Sequence, residues 1–240
     1  MGISVSIVVP AYIKDETGKN FLKECLDSIK TQSYSDYECI VVDDASQIAI
    51  QRLVINYGFT YHRIAENSGI GATRAKGVEL AKADWIVFLS HDDKYHQDFL
   101  KIMMPHAEKN PDCILYSNYI DIDTNNNVLR HFKAQSFESR EDFQLALLAW
   151  ATRNDTFINA DTIVIPKKVF KKIQIDKNMR IGEDTKFYLM AMKYFDFKYI
   201  DAYLVFYRRH KAQETLKFIH QIPDNNKKII EDVKRWWKKD

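Results

Sequence analysis

The sequence has few cysteines, and they show no metal-binding or disulfide pattern. The three cysteines, Cys25, Cys39 and Cys113, lie within apolar helix or strand patterns. Their spacing does not match that of a metal site, so we interpret them as small core residues. Such residues are typical of a reducing compartment and argue against a disulfide-stapled scaffold.

The sequence also lacks a strong excess of charge and a long apolar run. Its formal net charge is +2, so a nucleic-acid-binding function has no support in the composition. No segment approaches the roughly 18 to 20 apolar residues of a membrane-spanning helix. The chain starts directly with a strand pattern and has no signal-peptide features. We therefore expect a cytoplasmic protein, with peripheral membrane contact left open.

Apolar residues, by contrast, are abundant enough for a large core. Of the 240 residues, 46% are hydrophobic and 13% are aromatic, which suits one sizeable α/β domain. We place this domain at residues 1–215 and a basic helical tail at residues 216–240.

The most informative segment is an apolar run that ends in two acids. Residues 85–89 are apolar and are followed by His91, Asp92 and Asp93, as expected for an interior strand of a mostly parallel sheet. Open α/β sheets bind ligands at the carboxyl ends of such strands. Carboxylate and imidazole groups suit a divalent cation that itself holds a phosphate. A solvated turn is the alternative interpretation of this pair by itself.

Two further strand patterns end in a similar way. Residues 38–42 lead into Asp43 and Asp44, and residues 5–9 stop at the Pro-Ala-Tyr of residues 10–12. Neighbouring parallel strands with polar or aromatic groups at their carboxyl ends line one crevice. The repetition favours a ligand site over unrelated turns.

The remaining segments predict a sheet that is parallel at first and mixed later. A helical pattern at residues 20–32 joins the first two strands into a βαβ unit. A hairpin at residues 114–132, a helix at 140–152 and a short strand at 162–165 follow. The predicted class is therefore α/β, with a single Rossmann-like, mostly parallel central sheet flanked by helices and a mixed C-terminal region.

Two patterns have interpretations that need no functional site. Gly69 and Gly71 suggest a phosphate loop, but neither the dinucleotide fingerprint nor the Walker pattern is complete, so both are rejected. Glu183 and Asp184 open an amphipathic helix, where acids favour the positive end of the helix dipole. Stabilisation of the helix start by itself accounts for this pair.

Six motifs nevertheless occur in the order that is found in one enzyme family. They lie at residues 5–12, 43–46, 67–74, 90–93, 182–184 and 207–210. With them, the chain resembles an inverting family 2 glycosyltransferase with the GT-A fold over nearly its whole length. The resemblance implies transfer from a nucleoside-diphosphate sugar, and it suggests bacterial polysaccharide or lipooligosaccharide assembly as the setting.

The resemblance implies a nucleotide-sugar site at the ends of the first strands. Ala11 and Tyr12 would flank the base, Asp44 would accept hydrogen bonds from uracil and ribose, and Arg74 would contact the base or a phosphate. The other residues of this site would be Pro10, Asn67, Gly69, His91 and Asp92. A loop aromatic at Tyr12 and a helix-surface cation at Arg74 are the alternatives. Asp43 is expected to be structural.

The resemblance also implies Mn²⁺ or Mg²⁺ as cofactor. Asp93 would bind the cation through the donor diphosphate, Asp92 would contact the ribose or sugar, and His210 would add a ligand or a hydrogen-bond donor. Such a cation neutralises charge on the leaving diphosphate. Ser90 stands where the family often has the first acid of an Asp-x-Asp triplet, which puts the metal affinity in doubt. For His210, a polar residue without a ligand is the alternative.

The same resemblance implies one displacement step. Asp184 would act as the general base that removes the proton of the acceptor hydroxyl. The transition state would be oxocarbenium-like, with inversion and no covalent intermediate. Glu183 would orient the acceptor or hold the helix start.

The acceptor, a glycan or lipid-linked glycan, is the least readable partner. It is expected near residues 150–160 and the loop before Gly182, with Arg153 and Asn154 as contacts or as plain surface residues.

The basic tail with its paired tryptophans has two interpretations. It lies on an anionic bilayer, or it packs on the domain through Ile229, Ile230, Val233 and Trp237, which is the interpretation we favour.

Two other functions stay open. A non-catalytic, nucleotide-sugar-binding subunit of a larger synthase is favoured by Ser90 and opposed by Asp93 and Asp184. A nucleotidyltransferase would need a glycine-rich basic loop after the first strand, which residues 10–16 do not provide. The sequence specifies neither the donor sugar and its base nor the linkage or the oligomeric state.

Overall fold

The structure, a computed structural model of the chain, describes residues 4–152 and 158–238. The strands within these residues are β1 (Val5–Ala11), β2 (Tyr37–Asp43), β3 (Thr60–Arg63), β4 (Trp85–Phe88), β5 (Lys94–Tyr95), β6 (Cys113–Ile122), β7 (Val128–Phe132), β8 (Val164–Pro166) and β9 (Asp196–Arg208). The helices are α1 (Glu16–Lys30), α2 (Gln51–Asn56), α3 (Ile70–Leu80), α4 (Phe99–Lys109), α5 (Arg140–Thr152), α6 (Val169–Lys172), α7 (Glu183–Ala191), α8 (Glu214–Lys217) and α9 (Ile222–Trp237).

The strands form one sheet with a parallel half and a mixed half. Their order is β3-β2-β1-β4-β8-β6-β9-β5, and β7 pairs with β6. Strands β3, β2, β1 and β4 run parallel, whereas β8 is antiparallel to both β4 and β6. The predicted βαβ unit, the predicted hairpin and the α/β fold class are therefore confirmed.

The short strand predicted at residues 162–165 begins later than expected. Residues Ala160–Thr162 form a 3₁₀ turn, and the strand is Val164–Pro166. The Asn159 side chain accepts a hydrogen bond from the Asp161 backbone N–H at 2.9 Å, and the Thr162 hydroxyl donates to the Asn159 carbonyl at 2.7 Å. These local bonds compete with extended structure.

Successive residues of β1 face different layers of helices, as the period of a strand requires. Val5, Ile7 and Val9 lie in the core cluster shared with α1 and α4, whereas Val8 lies in the cluster shared with α6, α7 and α9. Helix α3 approaches β1 so closely that a Cβ on Gly77 would fall 2.1 Å from Val8 Cγ1. Only glycine permits this contact without movement of the helix.

The C-terminal helix α9 packs against the rest of the chain. Ile229 and Val233 are buried in the same cluster as α7, and Ile230, Trp236 and Trp237 are half-buried against it. The prediction that the tail packs on the domain is confirmed, while contact with a membrane stays a prediction.

Within the described parts of the chain, no helix combines the length and the apolar character needed to cross a membrane.

Candidate active site

The strands that were predicted to line one crevice are neighbours. The register places Ala11 at the end of β1 opposite Asp43 at the end of β2, and Val8 opposite Phe88 at the end of β4. The turn after β4 carries Ser90 to Asp93. The carboxyl ends of three parallel strands therefore lie side by side, where open α/β sheets bind ligands.

Asp44 holds the loop that precedes α3. Its carboxylate accepts hydrogen bonds from the backbone N–H groups of Ser68 at 2.7 Å and Gly69 at 2.9 Å, and from the Asn67 side chain at 2.9 Å. These donors engage both oxygens of a group that is also expected to bind uracil and ribose. In this structure Asp44 shapes the loop, and it brings Asn67 and Gly69 to the crevice.

Asp43 makes structural contacts, as was expected for this residue. Its carboxylate accepts hydrogen bonds from the Ser46 backbone at 2.7 Å, the Tyr61 hydroxyl at 2.6 Å and the Arg63 guanidinium at 2.7 Å. Burial by itself would raise its pKa, but these hydrogen bonds hold the pKa of Asp43 below its usual value. An ionised Asp43 thereby locks the end of β2 to β3.

The segment at the end of β1 offers one side chain, that of Tyr12, to the crevice. Pro10 and Ala11 are buried within β1, whereas Tyr12 is half-buried just after the strand. The Lys14 ammonium lies 5.0 Å from the centre of the Tyr12 ring. Of the three residues here that were predicted to bind the nucleotide sugar, Tyr12 has the ring surface on which a nucleotide base can stack.

Arg208 fixes the turn that carries the acidic pair. Its backbone N–H donates to Asp93 Oδ1 at 2.6 Å, and its Nε donates to the Asp92 carbonyl at 2.9 Å. The fully buried guanidinium also pairs with Glu24 at 2.8 Å. Sequence reasoning gave Arg208 no role, because these partners lie 115 to 184 positions away along the chain.

His210 lies against Asp92, whereas the resemblance implied that His210 and Asp93 bind one cation. His210 Nε2 is 2.9 Å from Asp92 Oδ2, and the two side chains are 12% and 16% exposed. Asp93 is only 1% exposed, and its Oδ1 is taken by the Arg208 N–H. Burial opposes ionisation of Asp92, but the adjacent His91 and the His210 contact hold the pKa of Asp92 below its usual value.

A further buried acid, Asp161, faces Asp93. Burial together with the charge of Asp92 raises the pKa of both carboxyl groups. The Ser90 hydroxyl donates to Asp161 Oδ1 at 3.2 Å. Asp161 therefore supplies a carboxyl group beside Ser90, the residue that stands at the first position of the expected Asp-x-Asp triplet. Sequence reasoning missed Asp161, since one acid before a short strand carries no distinguishing pattern.

Arg74 is a buried cation and not a helix-surface cation, which was the alternative interpretation, while its contact with the nucleotide stays a prediction. It is 5% exposed, and its guanidinium lies 5.3 Å from the centre of the Phe88 ring. Nη1 donates to Glu183 Oε1 at 2.5 Å, and Nη2 lies 4.0 Å from Asp161 Oδ1. Arg74 thus connects the acids of the β4 turn to the start of α7.

The two acids that open α7 have different surroundings. Glu183 is 3% exposed, and burial together with Asp184 raises the pKa of Glu183 to about 7, against the opposing charge of Arg74. Asp184 is half-buried, and its Oδ1 accepts a hydrogen bond from the Thr185 N–H at 2.7 Å. Both acids and Arg74 border a small pocket whose other lining residues are Phe88, Ile165, Ile175, Phe187 and Tyr188. Asp184 is the acid of this pair with surface open to a bound molecule.

The loop before α7 is hydrogen-bonded, through Arg180, to the loop before α3 that Asp44 holds. Arg180 Nη1 donates to Asn67 Oδ1 at 2.9 Å, and its Nη2 donates to the Asn67 carbonyl at 3.1 Å. Gly71 lies so near that a Cβ there would fall 2.4 Å from the Asp176 carbonyl oxygen. The loop predicted to bind the nucleotide and the loop that leads to the predicted general base, Asp184, are therefore in direct contact.

The acids of the site fit a cation that arrives with a diphosphate. In residues 4–152 and 158–238, no group of three or more His, Cys, Asp or Glu side chains is arranged to bind a metal ion. Asp92 and His210 offer one carboxylate and one imidazole, both partly exposed. Cations at nucleotide sites are commonly held by one or two carboxylates plus phosphate oxygens, so the Asp92 carboxylate fits the chemistry of such a site.

The predicted acceptor contacts Arg153 and Asn154 lie outside the described residues. Helix α5 ends at Thr152, and the description resumes at Ile158.

Known proteins share this sequence pattern. The family model described as "Glycosyl transferase family 2" matches residues 6–174, which is more than half of the chain. An uncharacterized glycosyltransferase of Rickettsia typhi is 29% identical over 228 residues, covering 92% of this chain and 68% of that protein. The glycosyltransferase GlyA of Streptococcus pneumoniae is 25% identical over 238 residues, covering 92% of this chain and 33% of its own length.

Solved structures share the fold. TarS of S. aureus in complex with UDP-GlcNAc superposes with a TM-score of 0.69 at 17% identity, covering 89% of this chain and 60% of that chain. The mannosyltransferase PcManGT from Pyrobaculum calidifontis, in complex with GDP-Man and Mn²⁺, gives a TM-score of 0.65 at 14% identity, covering 92% of this chain and 61% of that chain. At these identities the likeness establishes the fold alone.

The predicted enzyme class and fold are thus confirmed together. This chain spans about 60% of the two solved chains and 33% of GlyA, so the agreement concerns the part of those proteins that it covers. The chain is a glycosyltransferase with the GT-A fold, and it belongs to glycosyl transferase family 2.

Proposed function

We propose that this glycosyltransferase moves a sugar from a nucleoside-diphosphate sugar to a hydroxyl group of a glycan or lipid-linked glycan, with inversion at the anomeric carbon. The proposal depends most on the difference between the two acids that open α7. Glu183 is buried and contacts Arg74 at 2.5 Å, whereas Asp184 is only half-buried. A general base must reach the acceptor hydroxyl, so Asp184 suits that role.

A UDP-sugar is the donor of first choice. TarS, one of the structural neighbours, binds UDP-GlcNAc, while PcManGT binds GDP-Man. Tyr12 offers a ring for the base, and the loop held by Asp44 borders the same crevice. The nucleotide and the sugar are decided by pocket shape, so a panel of donors is the suitable test.

We assign the cation site to Asp92 and His210, with Mn²⁺ or Mg²⁺ as the ion. When bound there, the cation supplies a Lewis acid that compensates the charge of the leaving diphosphate. Asp93 accepts a hydrogen bond from the Arg208 N–H at 2.6 Å, and we infer that it holds the turn in shape.

The chemical step needs one base and a fixed geometry. Asp184 takes the proton of the acceptor hydroxyl while the acceptor oxygen bonds to the anomeric carbon and the bond to the diphosphate oxygen breaks. The acceptor enters opposite the leaving group, so one displacement inverts the configuration. The hydrogen bond that Arg74 donates to Glu183 holds the first turn of α7 during this step.

The test is sugar transfer from UDP- and GDP-sugars, with Mn²⁺ present or chelated. We expect Asp184→Asn to lower the transfer rate about a hundred- to ten-thousandfold with donor affinity retained, because an amide cannot accept the proton. Asp92→Asn should weaken donor binding only when Mn²⁺ is present. Asp112→Asn, at an exposed acid before β6, is the matched control.

Two outcomes would contradict this proposal. Transfer at the wild-type rate by Asp184→Asn would remove the base assignment. Binding of donors without transfer to any acceptor would favour a non-catalytic role for this chain.

A further inference from the structure

We propose that Asn225 of α9 is a positioning residue that holds the backbone beside Asp184. The inference rests on the proposed role of Asp184 as the general base. Asn225 Nδ2 donates to the Ile181 carbonyl oxygen at 2.8 Å, across 44 positions of the chain. Ile181 directly precedes Gly182, which is the N-cap of α7, and Asp184 is the second residue of that helix.

The start of α7 has no capping side chain of its own. Gly182 occupies the N-cap position with φ of +77° and ψ of 11°, a left-handed conformation that suits glycine. A capping side chain would normally satisfy one of the free N–H groups in the first turn and limit fraying. The position of the first turn of α7 therefore depends on contacts from other elements.

Besides the contact of Arg74 with Glu183, helix α9 supplies contacts to this turn along one face. A Cβ on Gly182 would fall 2.8 Å from Asn225 Nδ2 and 3.0 Å from Ile229 Cδ1. Further along, the carboxylate of Asp232 lies 3.8 Å from the Lys186 ammonium of α7. The spacing of Asn225, Ile229 and Asp232 places them on one side of a helix.

Ile229 anchors this face, because its side chain is 2% exposed within the cluster that also contains Phe187 of α7. The buried contact sets the distance between the two helices, and the hydrogen bond from Asn225 sets the direction of the Ile181 carbonyl. The tail helix thereby becomes part of the support of the active site, although its residues need not touch the substrate.

The matched pair of variants is Asn225→Asp and Asn226→Asp. Aspartate has the size of asparagine but offers a carboxylate oxygen where the Ile181 carbonyl needs a donor. Asn226 has the same chemistry one position along, on a different side of the helix because successive residues are turned by about 100°. Asn225→Ala is the second variant, in case the new charge prevents folding.

The measurements are kcat for transfer, donor affinity, thermal unfolding and hydrogen exchange of residues 181–187. Asn225→Asp should lower kcat on the order of ten- to a hundredfold, with donor affinity within about twofold of wild type, because a misplaced base slows only the chemical step. Exchange at residues 181–187 should be faster in Asn225→Asp and Asn225→Ala, and unchanged in Asn226→Asp.

An unchanged kcat in both Asn225 variants, or an equal loss in Asn226→Asp, would overturn the proposal. A parallel loss of donor affinity would also overturn it, since that pattern indicates general damage. If the wild-type protein transfers no sugar, the proposed function fails. Hydrogen exchange at residues 181–187 then still decides whether Asn225 holds this turn.

Discussion

Among single residues, Glu183 is expected to make stability depend on pH. Burial and the adjacent Asp184 raise the pKa of Glu183 from 4.5 to about 7 in the folded protein. The folded chain therefore holds this proton more tightly than the unfolded chain. The resulting contribution to stability is fully present below the pKa of Glu183 in the unfolded chain. It is lost as the pH rises through the pKa of about 7 in the folded protein.

Urea unfolding on both sides of this pH range measures the effect. Glu183→Gln does not titrate, so its free energy of unfolding should fall less with rising pH than that of the wild type. Glu108→Gln, at an exposed residue of α4, should keep the wild-type slope. Equal slopes in the wild type and Glu183→Gln would show that folding does not raise the pKa of Glu183.

At the scale of elements, the close approach of α3 to β1 is expected to limit substitution at Gly77. Gly77→Ala should lower the free energy of unfolding by about 1–3 kcal/mol, because overpacking forces a shift of α3 or β1. The new Cβ would lie 2.1 Å from Val8 Cγ1. Gly18→Ala in α1, whose nearest neighbour would be 3.6 Å away, is the control and should be neutral or stabilising.

A double-mutant cycle tests the stated cause. Val8→Ala removes the methyl groups that the new Cβ would meet, so the combined variant should lose less stability than the sum of the two single losses. Additive losses, measured by urea unfolding, would place the strain elsewhere in α3.

At the scale of the whole molecule, metal binding is expected to require the nucleotide. Asp92 follows β4 and His210 follows β9, and the described residues hold no group of three metal-ligating side chains. Mn²⁺ should therefore bind weakly by itself and more tightly with UDP or GDP, because the diphosphate supplies the missing oxygen ligands.

Titration calorimetry of Mn²⁺ with and without the nucleotide checks this expectation. His210→Ala should reduce the nucleotide-dependent binding, whereas His106→Ala, at an exposed residue of α4, should not. Equal affinity for Mn²⁺ with and without nucleotide would reveal a complete metal site within the protein.

Local patterns were sufficient to predict the α/β class, the unit of β1, α1 and β2, the hairpin of β6 and β7, and the acidic turns at the strand ends. Strand and helix periods, turn residues and strand-end acids all act between residues that are close along the chain. The family resemblance added the enzyme class for the same reason, since its motifs are short and occur in order.

The partners of the site residues were decided by packing in three dimensions. Arg74 meets Glu183 across 109 positions, and the Arg208 N–H meets Asp93 across 115. Packing buries Glu183 but leaves Asp184 half-buried, and it places Asp92, not Asp93, against His210. Burial and neighbouring charges set the energy of each carboxylate, and no local sequence pattern encodes either of them.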